Sequence, residues 1–359
     1  MRRVLALSID QLFRPSPGGI ATYVRGLVVG LADLQDPSLD VVGLAPRGRV
    51  PDAVAELALR RVTVGLPLVA LTRVWSAWPL GVPRGADVVH ATTVAGPFSG
   101  GAPGARHSVA LHDLLWRDEP GAATARGARF HESRLRLLAR REEVRVFTTS
   151  PLLEDRLVAE GFARSRLVRV RLGVDLDVEV APPARVREVL APRGITGPYT
   201  LYAGTREPRK NLATLVAAHH GARAARPELG PLVLAGPAGW GADVTGDATV
   251  LGVVERAVLR GLYRDAAVVA YVPRAEGWGL PPVEALAEGA RVVASATTPS
   301  VAANLQVVVV DPGDVDAVAA GLVAAIDRPD DGVARAARRA SVAELTWRRC
   351  ALDHLAGWR

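Results

Sequence analysis

Thr200–Ala225 reads TLYAGTREPRKNLATLVAAHHGARAA. A short β-type run, Thr200–Ala203, is followed by a turn rich in glycine, proline and cations. Leu212–Ala225 then reads as a helix. The same strand–turn–helix unit recurs along the chain. Upstream, strands are expected at Val4–Ile9, Asp87–His90, Ser108–Leu111, Val144–Thr148 and Val168–Val170. Downstream they are expected at Leu232–Ala235, Thr249–Leu251, Val268–Tyr271, Val292–Ala294 and Val307–Val310. Ile20, Val24, Leu27, Val28 and Leu31 fall at helical spacing after Gly18–Gly19. Ser150 stands where it can cap a helix with Leu152, Leu153, Leu157 and Val158 on one face. Further helices fit Val258–Arg264, Val283–Gly289 and Val315–Ile326.

Strands alternating with helices imply parallel sheets covered on both faces. The fold class is therefore α/β, with two Rossmann-like, doubly wound domains facing a cleft. Asp175–Pro198, with Pro182, Pro183, Pro192 and Pro198, reads as the connection. The expected division is an N-terminal domain over 1–178, a linker over 179–197, a C-terminal domain over 198–340 and a terminal helix over 341–359, packing back on the N-terminal domain. Ligands of such sheets bind beyond the carboxyl ends of the strands, so functional residues should follow strands.

A chain of 359 residues suits two domains, and 49% hydrophobic content rules out a largely disordered one. The single Cys350 excludes a disulfide framework and a cysteine-based zinc site. No apolar run approaches the roughly 18 residues of a membrane span. Val4–Ile9 is shorter than a signal h-region, so a cytoplasmic location is expected, with peripheral contact at the inner membrane face as an option. A net charge of +7 points to acidic company: phosphate-bearing small molecules, an anionic membrane or nucleic acid. With 5% aromatics and no zinc-finger or RNA-recognition string, nucleic acid is not expected. Arg126, Arg129, Arg134, Arg136, Arg140 and Arg141 crowd 122–143, either as a membrane-facing surface or as a solvated helix balanced by Glu132, Glu142 and Glu143.

Four constellations carry chemistry. Ala275–Gly289, AEGWGLPPVEALAEG, places Glu276 on a loop after a strand and Glu284 near a helix start. Gly277 and Gly279 permit a tight turn, and Pro281 and Pro282 suit a first helical turn. A helix N-terminus for phosphate, flanked by two carboxylates for hydroxyl groups, describes a nucleotide-sugar site; two capping carboxylates are the plain alternative. Gly204–Leu212, GTREPRKNL, sets Arg206, Arg209 and Lys210 beside another helix start, suited to a departing diphosphate or to a solvated basic turn. In SVALHDL, Ser108–Leu114, His112 leaves a strand end and can meet a substrate hydroxyl, while Asp113 either orients it or binds the turn backbone. In PSPGGI, Pro15–Ile20, Gly18 and Gly19 let a ligand approach the backbone. His90 reads as structural, and His219–His220 as surface. Asp175–Asp177 and Asp314–Asp316 are literal Asp-x-Asp strings, but Asp314 reads as a helix cap and no metal site is expected.

The string EGWGLPPVE resembles the E-x7-E signature of retaining glycosyltransferases of family 4, with Glu276 and Glu284 as the pair and Trp278 where phenylalanine is commoner. GTREPRKN is similar to an element of mannosyltransferase-like members whose lysine holds the donor diphosphate, the position of Lys210. Other branches carry an arginine at the place of Thr205; here Arg206 stands one residue later. HDL and the early glycine loop resemble the family's elements near the donor sugar, its phosphates and the acceptor. Leu232–Trp240, Leu262–Ala266 and Val310–Asp314 extend the likeness, and LGVD containing Asp175 resembles the domain exit. The chain departs at Ser295–Gln306, which lacks the usual Pro-Glu.

The resemblance implies the GT-B arrangement and a metal-independent retaining hexosyltransferase without a cofactor. A nucleoside-diphosphate sugar would be co-substrate, with GDP-mannose mildly favoured. The acceptor would be a glycan, lipid-linked or small-molecule hydroxyl, in cell-envelope glycan, polysaccharide or glycolipid synthesis. Catalytic roles then fall to His112 and Glu276. Donor binding falls to Gly19, Arg206, Arg209, Lys210, Trp278, Gly279, Leu280 and Glu284, and the acceptor and phosphate loop to Gly18 and Gly19. The alternatives are a non-catalytic nucleotide-sugar-binding subunit and a GT-B-fold epimerase or phosphorylase.

Overall fold

The computed structural model describes all residues except 1, 15–17, 58, 99–102, 120–122, 177, 241–243 and 302–303. Pro15, Ser16 and Pro17 of the early glycine loop, and Asp177 of one Asp-x-Asp string, lie outside the described residues. The chain divides into two compact units. The first comprises Met1–Arg117, Ala123–Gly173 and Leu345–Arg359; most of the second is Val174–Glu344.

The first unit is built on seven parallel strands. They are β1 (Arg3–Ser8), β2 (Leu39–Ala45), β3 (Arg60–Thr63), β4 (Val88–Ala91), β5 (Arg106–Ala110), β6 (Arg145–Thr148) and β7 (Leu167–Arg169), in the order β3-β2-β1-β4-β5-β6-β7. The second has six: β8 (Thr200–Ala203), β9 (Leu232–Ala235), β10 (Thr249–Gly252), β11 (Val268–Tyr271), β12 (Val292–Ser295) and β13 (Val307–Val310), in the order β10-β9-β8-β11-β12-β13. Both orders reverse once, between β1 and β4 and between β8 and β11. These are doubly wound sheets, as the alternation implies. Strands β8, β11 and β12 are buried along their whole length, which explains their continuous apolar character.

Two strands are absent from the sequence reading. β3 is an edge strand with mostly exposed side chains and no apolar run. β2 contains Gly43, where a Cβ would lie 2.8 Å from both Ile9 and Leu59, so the strand gives up a side chain to close packing. Other expectations also need correction. Pro183–Leu190, inside the stretch read as a linker, is a helix packed on the helix Arg256–Asp265. Ser150 precedes the helix Pro151–Ala159, but its side chain makes no capping bond. On that helix Leu153 and Leu157 are buried, whereas Leu152 is 67% exposed. His219 is buried, not on the surface. Arg134 leaves the basic face of Ala125–Ala139: it is buried and donates to the carbonyls of Val94 (2.6 Å) and Gly96 (2.8 Å). Asp314 caps Val315–Asp327 as read, accepting from the N–H groups of Asp316 and Ala317.

The terminal helix Trp347–Gly357 belongs to the first unit and packs on the helix Gly19–Asp33. Close approach dictates the small residues: a Cβ at Gly30 would lie 2.0 Å from the Trp347 carbonyl oxygen, and one at Gly26 would meet the Trp347 ring at 2.1 Å. Beneath this contact runs a buried hydrogen-bond chain whose direction can be deduced. His354 Nδ1 lies 2.8 Å from the Cys350 carbonyl, which only accepts, so Nδ1 carries the proton and Nε2 accepts from Tyr23 Oη at 2.8 Å. Tyr23 Oη therefore accepts from His90 Nε2 (3.0 Å), and His90 Nδ1 accepts from Ser108 Oγ (2.9 Å). Ser108 in turn accepts the Trp358 indole N–H at 3.0 Å. His90 is thus structural, as read.

Both imidazoles must be neutral for this chain to close. Burial pushes the pKa of His90 well below 6.5 and that of His354 down to about 4. The unfolded chain takes up these protons first as pH falls, so their contribution is complete above about pH 6.5 and is lost progressively below it. The first unit's melting temperature should be level above neutrality and drop steadily from about pH 6.5 towards pH 4. A thermal melt of His354→Gln, measured across the same range, should show a weaker slope than wild type; equal slopes would disprove the histidine contribution.

Candidate functional site

The sheet reversals single out the loops after β1 and β4 and those after β8 and β11, where doubly wound sheets hold ligands. In the second unit these loops are Gly204–Asn211 and Val272–Gly279, and the structure brings them together.

After β8 the chain makes a 3-10 turn, Pro208–Lys210, and enters the helix Leu212–Ala225 through Asn211. Asn211 has φ 61°, a left-handed conformation that asparagine tolerates better than most residues. Its amide saturates both ends. Nδ2 donates to the carbonyls of Val272 (3.1 Å) and Pro312 (2.8 Å), and Oδ1 accepts from Thr214 (2.9 Å) and Arg274 (3.2 Å). One buried side chain therefore binds three loops. Sequence reading passed over Asn211, although its place between a cationic turn and a helix start was the available signal.

This register presents Lys210 and Arg209 to Glu276. The Glu276 Oε2 accepts from Lys210 Nζ, from Tyr271 Oη at 2.6 Å and from Arg209 Nη1 at 3.1 Å. Oε1 faces its own turn and accepts the Gly277 N–H at 3.2 Å. Arg209 also pairs with the buried Glu207 at 2.7 Å. Burial alone raises the Glu276 pKa, but the charges of Lys210 and Arg209 and the hydrogen bonds outweigh it and hold the pKa down to about 2. Glu276 is therefore an acceptor at neutral pH, with Oε1 the less occupied oxygen. Arg206 turns elsewhere: Nη1 donates to Gly236 at 3.2 Å, on the loop after β9.

Gly279 has φ 90° and starts the helix Leu280–Ala287; a Cβ there would meet Thr298 at 2.4 Å. Gly279 thus requires the backbone freedom of glycine. Pro281 and Pro282 sit in the first turn as read, which leaves its backbone donors at Leu280 and Val283. The segment that departs from the family pattern supports this loop: Ser300 N–H donates to the Trp278 carbonyl (3.0 Å) and Ser300 Oγ to the Gly279 carbonyl (2.6 Å). The Trp278 indole N–H is buried without an acceptor in the described structure. Glu284 accepts from Tyr263 Oη at 3.1 Å, and burial raises its pKa against the pull of Arg256, Tyr263 and Arg260.

The other named residues lie in the first unit. His112 Nε2 donates to the Thr92 carbonyl at 2.9 Å, so Nδ1 is the nitrogen that accepts in the neutral ring. Burial lowers the pKa of His112, and its ring stands edge-on to Tyr23 at 5.0 Å. Asp113 binds the turn backbone, accepting the Leu115 N–H at 3.1 Å. Gly18 is the N-cap of Gly19–Asp33, and a Cβ at Gly18 or Gly19 would meet nothing within 4 Å. Both glycines thus border open space. Among the described residues no group of three or more His, Cys, Asp or Glu is placed to hold a metal ion, and no helix is long and apolar enough to cross a membrane. Asp175 pairs with Arg256.

The second unit thus carries its cationic turn and its paired-glutamate loop at one sheet reversal. Residues 197–328 match the family profile described as Glycosyl transferases group 1. The chain is 32% identical over 205 residues to O-antigen chain mannosyltransferase B of Escherichia coli, over 53% of this chain and 53% of that protein. It therefore spans about half the length of that curated relative. Its fold is similar to the sucrose-phosphate synthase of Thermosynechococcus elongatus (TM-score 0.69, 19% identity, 99% of this chain and 98% of that one). It is equally similar to Anabaena HepE in complex with UDP and glucose (TM-score 0.69, 16% identity, 99% of each chain). Residues 197–328 thus carry a glycosyl transferases group 1 profile, within a chain whose fold is similar to those of these solved structures.

The buried ion pair changes one expectation. From sequence, loss of Lys210 should affect function and leave stability alone. In the structure Lys210 and Glu276 have only 8% and 12% of their side chains exposed. Lys210→Met leaves the Glu276 carboxylate with Arg209 and Tyr271 but removes one charged partner, and should cost about 1–3 kcal/mol of unfolding free energy. Lys210→Met/Glu276→Gln should recover part of it. Denaturant unfolding of both variants measures this, and an unchanged midpoint for Lys210→Met would show that the pair contributes nothing.

Proposed function

We propose that the chain transfers a sugar from a nucleoside-diphosphate sugar to an acceptor hydroxyl, with retention of anomeric configuration and without a metal ion. The observation that carries this reading is the convergence of Lys210, Arg209 and Glu276 at the β8/β11 reversal. Cations there suit a diphosphate leaving group, and a carboxylate that stays ionised at neutral pH, with Oε1 the less occupied oxygen, suits sugar hydroxyls. Glu284 would take the ribose hydroxyls, and the Gly279–Leu280 backbone would face the phosphates at the helix start. In the first unit, Gly18, Gly19 and His112 would serve the acceptor and the reacting sugar. The acceptor would attack on the face from which the diphosphate departs, and the departing phosphate would take its proton.

GDP-mannose is the favoured donor, through the PRKN element and the likeness to a mannosyltransferase. The acceptor would be a glycan or lipid-linked hydroxyl in cell-envelope glycan synthesis. Incubation with a panel of nucleotide sugars and candidate acceptors, following nucleoside diphosphate release, tests the reading. Turnover should survive exhaustive EDTA treatment, and the product anomer should match that of the donor. Loss of activity that manganese restores would overturn metal independence. Nucleotide binding without turnover would identify a binding subunit instead.

A further inference from the structure

We propose that Tyr263 and Tyr271 are positioning residues, each holding one carboxylate of the Glu276–Glu284 pair in the geometry that meets the donor. The inference rests on the reading of Glu276 and Glu284 as hydroxyl acceptors for the sugar and the ribose.

The two phenols come from consecutive elements. Tyr271 ends β11, and Tyr263 lies on the helix Arg256–Asp265 that precedes it. Both are 1% exposed, so neither can touch a ligand. A phenol has one proton to give, and each gives it to a different motif glutamate: Tyr271 to Glu276 at 2.6 Å and Tyr263 to Glu284 at 3.1 Å. Tyr271 is also contacted by Lys210 Nζ, so its oxygen accepts from the lysine while it donates to the carboxylate. One hydroxyl thereby bridges the proposed diphosphate cation and the sugar-facing carboxylate, which also hold each other directly. Burial keeps both phenols neutral by raising their pKa well above 10, so each remains a donor through the working pH range.

Packing does not require these hydroxyls. The Tyr271 ring stacks on Tyr202 with centroids 6.1 Å apart, a contact that phenylalanine would keep. Tyr199 supplies the contrast. It is equally buried, and its hydroxyl donates to the Leu262 carbonyl at 2.8 Å, touching neither carboxylate. Loss of that bond weakens the fold alone.

The test measures dissociation constants of GDP and UDP, and of their 2′,3′-dideoxy forms, for wild type, Tyr263→Phe, Tyr271→Phe, Tyr199→Phe, Glu284→Gln and Tyr263→Phe/Glu284→Gln. Turnover with the accepted donor and a melting curve are recorded for each. In wild type, removing the ribose hydroxyls should weaken binding about tenfold to a hundredfold. Tyr263→Phe should reduce that penalty to about threefold or less, and Tyr263→Phe/Glu284→Gln should be no worse than Glu284→Gln. Tyr271→Phe should keep the ribose penalty and lower kcat about tenfold or more, with KM within about threefold. Tyr199→Phe should lower the melting temperature and leave the penalty and kcat alone. If Tyr263→Phe retains the full penalty, or Tyr271→Phe retains wild-type kcat, these tyrosines only fill space and the inference fails while the functional reading stands. A wild-type chain that binds neither nucleotide, or ignores the ribose hydroxyls, overturns the reading of the carboxylates and the inference with it.

Discussion

The pair formed by Lys210 and Glu276 is the contact on which the second unit's site depends. Each charge alone would be expensive to bury, and each is supplied by a different loop. Their union therefore fixes the distance between the loop after β8 and the loop after β11. Neutral groups complete the fixture: Tyr271 bridges the two, and Asn211 ties the same loops through Val272 and adds the loop after β13 through Pro312. A sheet reversal supplies only two neighbouring strand ends. These side chains turn the strand ends into a site of defined geometry.

Much of this was legible in the sequence because a buried parallel strand leaves a short continuous apolar run bounded by turn residues. Val268–Tyr271, Leu232–Ala235 and Val307–Val310 appear as read, to the residue. β3 was not legible, because an edge strand such as RRVT buries too little to leave an apolar run. The site was legible as types of residue but not as partners. Sequence places Lys210 with a phosphate and Glu276 with a sugar; only three dimensions show that they hold each other. Asn211, Tyr263 and Tyr271 escaped because their value lies in hydrogen bonds to residues 21 to 101 positions distant or across a tight loop. The same holds for Arg134, which spacing assigns to a basic face and burial assigns to the Val94 and Gly96 carbonyls.

The first unit solves a different problem with similar means. Its terminal helix is anchored by steric closeness at Gly26 and Gly30, and by a polar chain that admits one arrangement of protons. Hydrophobic contact alone would allow the helix to slide by a turn. A chain running from Trp358 through Ser108, His90, Tyr23 and His354 to the Cys350 carbonyl permits one register only. Tyr23 also packs against His112. The residue that secures the terminal helix thus borders His112, the histidine proposed for the reacting sugar.

The charges around Lys210 explain how such a site can exist before its ligand arrives. Two cations, Arg209 and Lys210, meet two carboxylates, Glu207 and Glu276, so the cluster is electrically balanced. Unpaired, the cations would be pushed to lose protons or to reach for solvent. On the proposed reading, a diphosphate does not enter a field of bare positive charge. It enters beside an existing pair and competes with Glu276 for the same donors. The exchange replaces carboxylate oxygens by phosphate oxygens on donors already stripped of water, so the desolvation of those donors is not repeated. The glutamate released from part of its bonding then has lone pairs to give to a sugar hydroxyl. Binding of the diphosphate and capture of the sugar become linked through one shared carboxylate, and Tyr271, bonded to both partners, limits how far they separate.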